Sequence, residues 1–160
     1  MQPPSGLIDA LLTQSKTTRD EIQQCLSENA LKTEQVDKLF EVTRIDLNGD
    51  TEPDYFIRSS RNRFFCNALN GSHIFRFWFA TGHATRAKTR YRIAFESGGD
   101  AIMMLADQHH GYRDLIMIGA DGTNEYRMHF AFDGASYHMR SCRRKEFLFE
   151  GGSRDHRTCD

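Results

Sequence analysis

At 160 residues, with 39% apolar and 27% charged side chains and a net charge of −1, the chain is sized for one folded domain with a real core. Residues 1–80 carry nine basic and eleven acidic side chains, and residues 81–160 carry twelve and eleven. A balance this even argues against nucleic acid as the partner, because phosphate contacts need a basic surface. No apolar run reaches the ~20 residues of a membrane helix, so no membrane span is expected. The start, Met1-Gln2-Pro3-Pro4-Ser5, lacks the basic and apolar segments of a signal peptide, which leaves a cytosolic protein or a mature exported one.

The first elements in chain order read as helices. Leu7, Ile8, Leu11 and Leu12 recur at helical spacing, and Gln14-Ser15-Lys16 ends the run. Thr18-Arg19-Asp20-Glu21 has the S/T-x-x-E form of a capping box, so a second helix starts there, with Ile22, Cys25 and Leu26 as its buried face. Such amphipathic helices cover a sheet or, as the alternative, bind a partner.

From Phe40 the pattern changes to strands. The expected segments are Glu41–Leu47, Tyr55–Arg58, Phe64–Cys66, Ile74–Phe79, Tyr91–Phe95, Ala101–Leu105, Leu115–Ile118, Glu125–Phe132 and Tyr137–Cys142. Asn70-Gly71, Gly98-Gly99-Asp100, Asp121-Gly122 and Asp133-Gly134 punctuate them as turns. In the aromatic run, Phe75, Phe77 and Phe79 should share one face, with Ile74, Arg76 and Trp78 on the other. Phe147-Leu148-Phe149 reads as a last edge strand, and residues 151–160 as a flexible tail. The fold class is α+β: one domain over residues 1–150, with a helical segment (5–30) packed on a mainly antiparallel sheet of about eight strands (40–150).

Between the first two strands lies Asp46-Leu47-Asn48-Gly49-Asp50-Thr51-Glu52-Pro53-Asp54. Asp46, Asn48, Asp50 and Asp54 place oxygens at alternating positions around a tight turn, as a hard cation requires; calcium is the cofactor such a loop would take, and weakly. Thr51 and Ile57 stand where an EF-hand needs glycine and glutamate, so the loop is not an EF-hand. The competing reading is a hydrated acidic turn whose aspartates bond their own backbone.

Asp46–Asp50, followed by Asp54-Tyr55-Phe56-Ile57, resembles the Asp-rich loops and following strands of FG-GAP and VCBS repeats, and Gly111-Tyr112-Arg113-Asp114-Leu115-Ile116-Met117-Ile118-Gly119-Ala120 resembles another segment of them. The two copies lie about 65 residues apart, and the chain is short for a closed propeller. A wider span resembles a group of small bacterial exported β-rich proteins without assigned activity. It takes in Gln24-Cys25-Leu26, the "IDLNGD" loop, the aromatic strand, "GY-D", and Phe132–Tyr137 followed by a cysteine. That resemblance implies a periplasmic or secreted protein carrying disulfides. The residues themselves leave Cys25, Cys66, Cys142 and Cys159 as bridges or buried thiols, with no C-x-x-C pair for zinc or redox chemistry. On the exported reading Cys66 and Cys142 should pair, each standing at a strand end, with Cys25 and Cys159 unassigned.

No motif for catalysis is present, neither G-x-S-x-G, P-loop nor H-E-x-x-H. Arg140, Arg143, Arg144 and Lys145 form the one basic cluster, read as a solvated face or as a dock for a protein partner. The functional expectation is a non-enzymatic exported binding or inhibitor-like domain with that calcium loop. The alternatives are an immunity or adaptor protein neutralising a protein partner, and a hydrolase-like enzyme with a cleft near His109, His110 and Asp114.

Overall fold

The computed structural model describes residues 3–17, 19–61, 64–71, 75–85 and 89–159. Its class is α+β: short N-terminal helices, then, among the described residues, nine strands in two antiparallel sheets. Where the sequence reads as one domain, the contacts gather into two compact units. The first is Met1–Asp46 with Asp50–Ser97, and the second is Leu47–Gly49 with Gly98–Asp160.

In the first unit, helix α1 (Leu7–Gln14), helix α2 (Arg19–Glu28) and a 3₁₀ helix over Thr33–Leu39 accompany strands β1 (Phe40–Ile45), β2 (Asp54–Ser59), β3 (Phe75–Ala84) and all but the last two residues of β4 (Thr89–Gly99), ordered β1-β2-β3-β4. Leu7, Ile8 and Leu11 of α1 and Ile22, Cys25 and Leu26 of α2 are buried in one cluster with Val42, Ile57 and Trp78. Leu12, expected on that face, lies at its rim, 36% exposed. Glu21 of the expected capping box pairs with Arg76 at 3.6 Å, whereas Thr18 lies outside the described residues.

The aromatic strand is buried on both faces. Trp78 is fully buried among the helices and donates its indole N–H to Ser15 Oγ (3.1 Å). Arg76 shares its side, bonded to Thr17 (3.0 Å) and Glu96 (3.1 Å). Phe77 and Phe79 point the other way, onto Phe56, and Phe79 also meets Phe95. Ile74 lies outside the described residues. The expected strand Phe64–Cys66 is instead a loop, because Asn70 turns inward and its amide holds the carbonyls of Cys66 (3.1 Å) and Ser60 (3.4 Å).

The second unit is a meander of β5 (Ala101–His109), β6 (Tyr112–Asp121), β7 (Asn124–Phe132), β8 (Tyr137–Phe147) and β9 (Ser153–His156). Up-and-down connection puts the β5–β6 and β7–β8 turns at one end, and the β6–β7 and β8–β9 turns at the other. Phe147-Leu148-Phe149 is no edge strand; β8 ends at Phe147, and the chain turns back through Gly151 and Gly152, both at positive φ. Within the segment expected as a flexible tail, Ser153–His156 form a strand, since β9 pairs with β8 from Arg144↔His156 to Phe147↔Ser153, while Asp160 lies outside the described residues.

That pairing also explains the disulfides. Cys142 bonds Cys159 (Cα–Cα 5.5 Å) because β9 carries the C-terminal segment back alongside β8. Cys25 bonds Cys66 (Cα–Cα 5.1 Å), joining the buried face of α2 to the loop that Asn70 pins. The expected Cys66–Cys142 bridge is therefore replaced by two local ones, and the described residues include no free cysteine. Among the described residues no helix is long and apolar enough to cross a membrane.

Candidate functional site

Two ends of the five-stranded sheet carry chemistry. At one end, β5 turns into β6 through His110 and Gly111 alone, with His109↔Tyr112 as the closing pair. Both turn residues have positive φ (49° and 79°), as a two-residue hairpin of matching twist demands. Glycine adopts this freely, whereas a histidine held there is uncommon.

Next to this turn Asp114 is fully buried on β6, and both its oxygens are taken by histidines. His109 donates Nδ1–H to Oδ1 (2.7 Å), and His129 of β7 donates Nε2–H to Oδ2 (2.7 Å). A buried carboxylate needs such partners, since leaving one unmade is costly. The contact fixes each ring's orientation and leaves His109 Nε2 and His129 Nδ1 as the nitrogens Asp114 does not hold. An irregular register makes room for it. Met104↔Leu115 and Gln108↔Arg113 leave three β5 residues opposite Asp114 alone, and such bulges re-aim side chains.

A second bulge lies across the sheet. His129 pairs with Ser141 and Phe130 with Met139, so Arg140 is the extra residue on β8. Arg140 therefore lines a 190 Å³ pocket with His109, His110, His138 and Asp133. Asp133 caps the β7–β8 turn, accepting the backbone N–H groups of Ala135 (2.8 Å) and Ser136 (2.9 Å) and pairing with His138 (2.9 Å). The two N–H bonds hold its carboxyl below the ordinary range.

The other end is basic. A groove of about 940 Å³ is lined by Arg127, Arg143, Arg144, Lys145 and Arg157, with Glu125 and Asp155 as its carboxylates. The predicted basic cluster is thus divided: Arg143, Arg144 and Lys145 line this groove, while Arg140 belongs to the histidine pocket. Alternation puts Arg143 and Lys145 on one face of β8 and Arg144 on the other. Arg143 lies directly opposite Arg127, and Lys145 opposite Glu125. The β8–β9 turn beyond presents Phe149 fully exposed, with Phe147 and Leu148 nearly half exposed.

The acidic loop carries an Asx-type turn. Asp50 Oδ1 accepts the N–H of Glu52 (2.7 Å), and Glu52 in turn accepts the N–H of Ala84 (2.9 Å). Asp54 opens β2 and is buried, whereas Asp46 and Asn48 lie outside the strands. Pro53 packs so close to Gly82 that any side chain there would strike its carbonyl oxygen. Among the described residues no three His, Cys, Asp or Glu side chains gather to hold a metal ion.

Sequence reasoning singled out His109, His110 and Asp114 but missed His129, which lies 15 residues beyond Asp114 and announces itself by no motif. The short signal was the His-Gly turn, which predicts that residues flanking it meet across strands. Fold and sites define a two-disulfide α+β protein with a histidine-rich pocket at one end of its larger sheet and a basic, aromatic-tipped hairpin at the other. No protein family, no curated protein and no solved structure matches the chain.

Proposed function

We propose that this chain is an exported, disulfide-braced binding domain that docks an acidic protein surface through the basic end of its five-stranded sheet. The observation that carries this reading is the Arg127↔Arg143 pair. Like charges directly opposite on one face destabilise a sheet, and with Arg127 held by Glu125 (2.9 Å) it is Arg143 that something anionic would cover. Phe149 adds the second component of a dock. An exposed aromatic beside cations supplies a desolvated anchor, while the cations set association rate and partner choice.

Two disulfides support the exported half of the proposal, since such bridges persist in oxidising compartments. An immunity or adaptor role is an instance of the same chemistry, with the neutralised protein as the acidic partner. The hydrolase-like alternative rests on the His109–Asp114 pair at the opposite end, which the dock does not use.

A photo-reactive side chain at position 149, introduced in the producing cell, tests the reading. One acidic protein should be cross-linked, and its yield should collapse in Arg143→Glu/Lys145→Glu. Cross-linking unaffected by that double reversal overturns the proposal.

A further inference from the structure

We propose that the pocket at the His110-Gly111 end of the five-stranded sheet binds a single phosphate group, with Arg140 as its fixed charge and His109, His110 and His138 as its hydrogen-bonding wall. This does not depend on the acidic-partner reading, which concerns the other end of the sheet.

Size comes first. At 190 Å³ the pocket is below the ~300–1,000 Å³ of sites that enclose drug-sized ligands, so it suits one small group. Charge comes next. The one carboxylate in the lining is Asp133, and Ala135, Ser136 and His138 already engage it. Asp114 has both oxygens on His109 and His129. By contrast, the side chains of Arg140 and His110 have no hydrogen-bond or ion-pair partner among the described residues. The pocket thus holds unused donors and no unused carboxylate.

Geometry favours phosphate over a carboxylate. The wall comes from three places: the end of β5, the β5–β6 turn, and β8 with its bulge. Donors approaching from several directions match the three oxygens of a tetrahedral phosphate, whereas a planar carboxylate asks for a two-pronged fork. Two of these groups are placed at a structural cost, His110 at φ 49° and Arg140 on a bulge, and such features concentrate at binding sites. Asp114 has a definite part. It fixes the His109 ring from behind through Nδ1 (2.7 Å), which leaves Nε2 as the edge of the ring that meets the phosphate.

Phosphate chemistry has two sources, a free ion and a phosphate ester on a larger molecule. The test is calorimetric titration of the full chain with inorganic phosphate and, separately, with a phosphoserine tripeptide, at matched ionic strength. Saturable one-to-one binding of at least one is expected, and the better ligand assigns the source. Arg140→Gln should weaken it by about tenfold or more, the worth of one charge-assisted contact. His110→Asn should also weaken it while keeping the turn, since asparagine tolerates positive φ. Arg143→Gln, three residues along the same strand and lining the other cavity, should leave it within about twofold, well inside one charge-assisted contact. Binding of neither ligand, or equal weakening by Arg140→Gln and Arg143→Gln, overturns the proposal.

Discussion

Arg127 and Arg143 stand directly opposite one another on β7 and β8, and Arg127 turns its Nε to Glu125 (2.9 Å) on its own strand. The Arg143 side chain has no hydrogen-bond or ion-pair partner among the described residues. Removing its charge therefore relieves a repulsion and breaks no bond. Arg143→Gln should raise the stability of the isolated protein by ~0.2–1 kcal/mol, the range for cross-strand pairs. A urea midpoint that falls instead would mean that Arg143 is a structural residue, and the cost assigned to the pair would be wrong.

The disulfides give a covalent prediction. Proteolytic mapping of the non-reduced protein should recover Cys25 linked to Cys66 and Cys142 linked to Cys159. Opening the 41-residue and 17-residue separations should cost about 4 and about 3 kcal/mol respectively in the chain-entropy account. Peptides linking Cys66 to Cys142 would contradict the fold of both segments.

Much of the fold was legible in the sequence because strand alternation and turn residues are local signals. Asp121-Gly122 and Asp133-Gly134 mark real hairpins, and the alternation of β3 puts Phe77 and Phe79 opposite Arg76 and Trp78. What was not legible depends on contacts between residues far apart in sequence. Cys159 finds Cys142 only because β9 folds back, and a polar segment after two glycines gives no local sign of doing so. Arg140 parts from Arg143, Arg144 and Lys145 at a bulge, which shifts the register without leaving a composition signal. His129 reaches Asp114 across a strand pair that no spacing rule encodes.

Acid should loosen the protein through a few identifiable carboxylates. Tyr126 hydroxyl, the Asn124 amide and the backbone N–H of Thr123 together hold Asp121 well below its usual value. His156 does the same for Glu146. In Glu41 burial pushes upward, but the Arg58 guanidinium and the Arg61 N–H outweigh it. A carboxylate depressed in the folded state contributes stability that is complete above its unfolded value, near ~4, and lost as pH falls through the folded value. The urea midpoint should therefore drop below about pH 4, and Asp121→Asn should remove part of that slope. A midpoint unchanged between pH 6 and roughly pH 2 would contradict these assignments.

The acidic loop has its own test. If Asp46, Asn48, Asp50 and Asp54 take calcium, their oxygens must close to ~2.3–2.6 Å around the ion. Calcium should then raise the melting temperature by mass action, and Asp50→Asn should abolish the gain. Equal effects of calcium and of sodium at the same ionic strength would assign the loop to turn architecture, of which the Asp50–Glu52 hydrogen bond is one part.

The central claim, that the basic hairpin docks an acidic protein, is tested most directly by association kinetics with the purified cross-linked partner. Rates should be measured from low to high salt for the parent chain and for Arg143→Glu/Lys145→Glu. Steered association predicts a parent rate that falls about tenfold or more across that range, and a double variant that is slow and nearly indifferent to salt. Equal rates for the two proteins, independent of salt, would contradict the account.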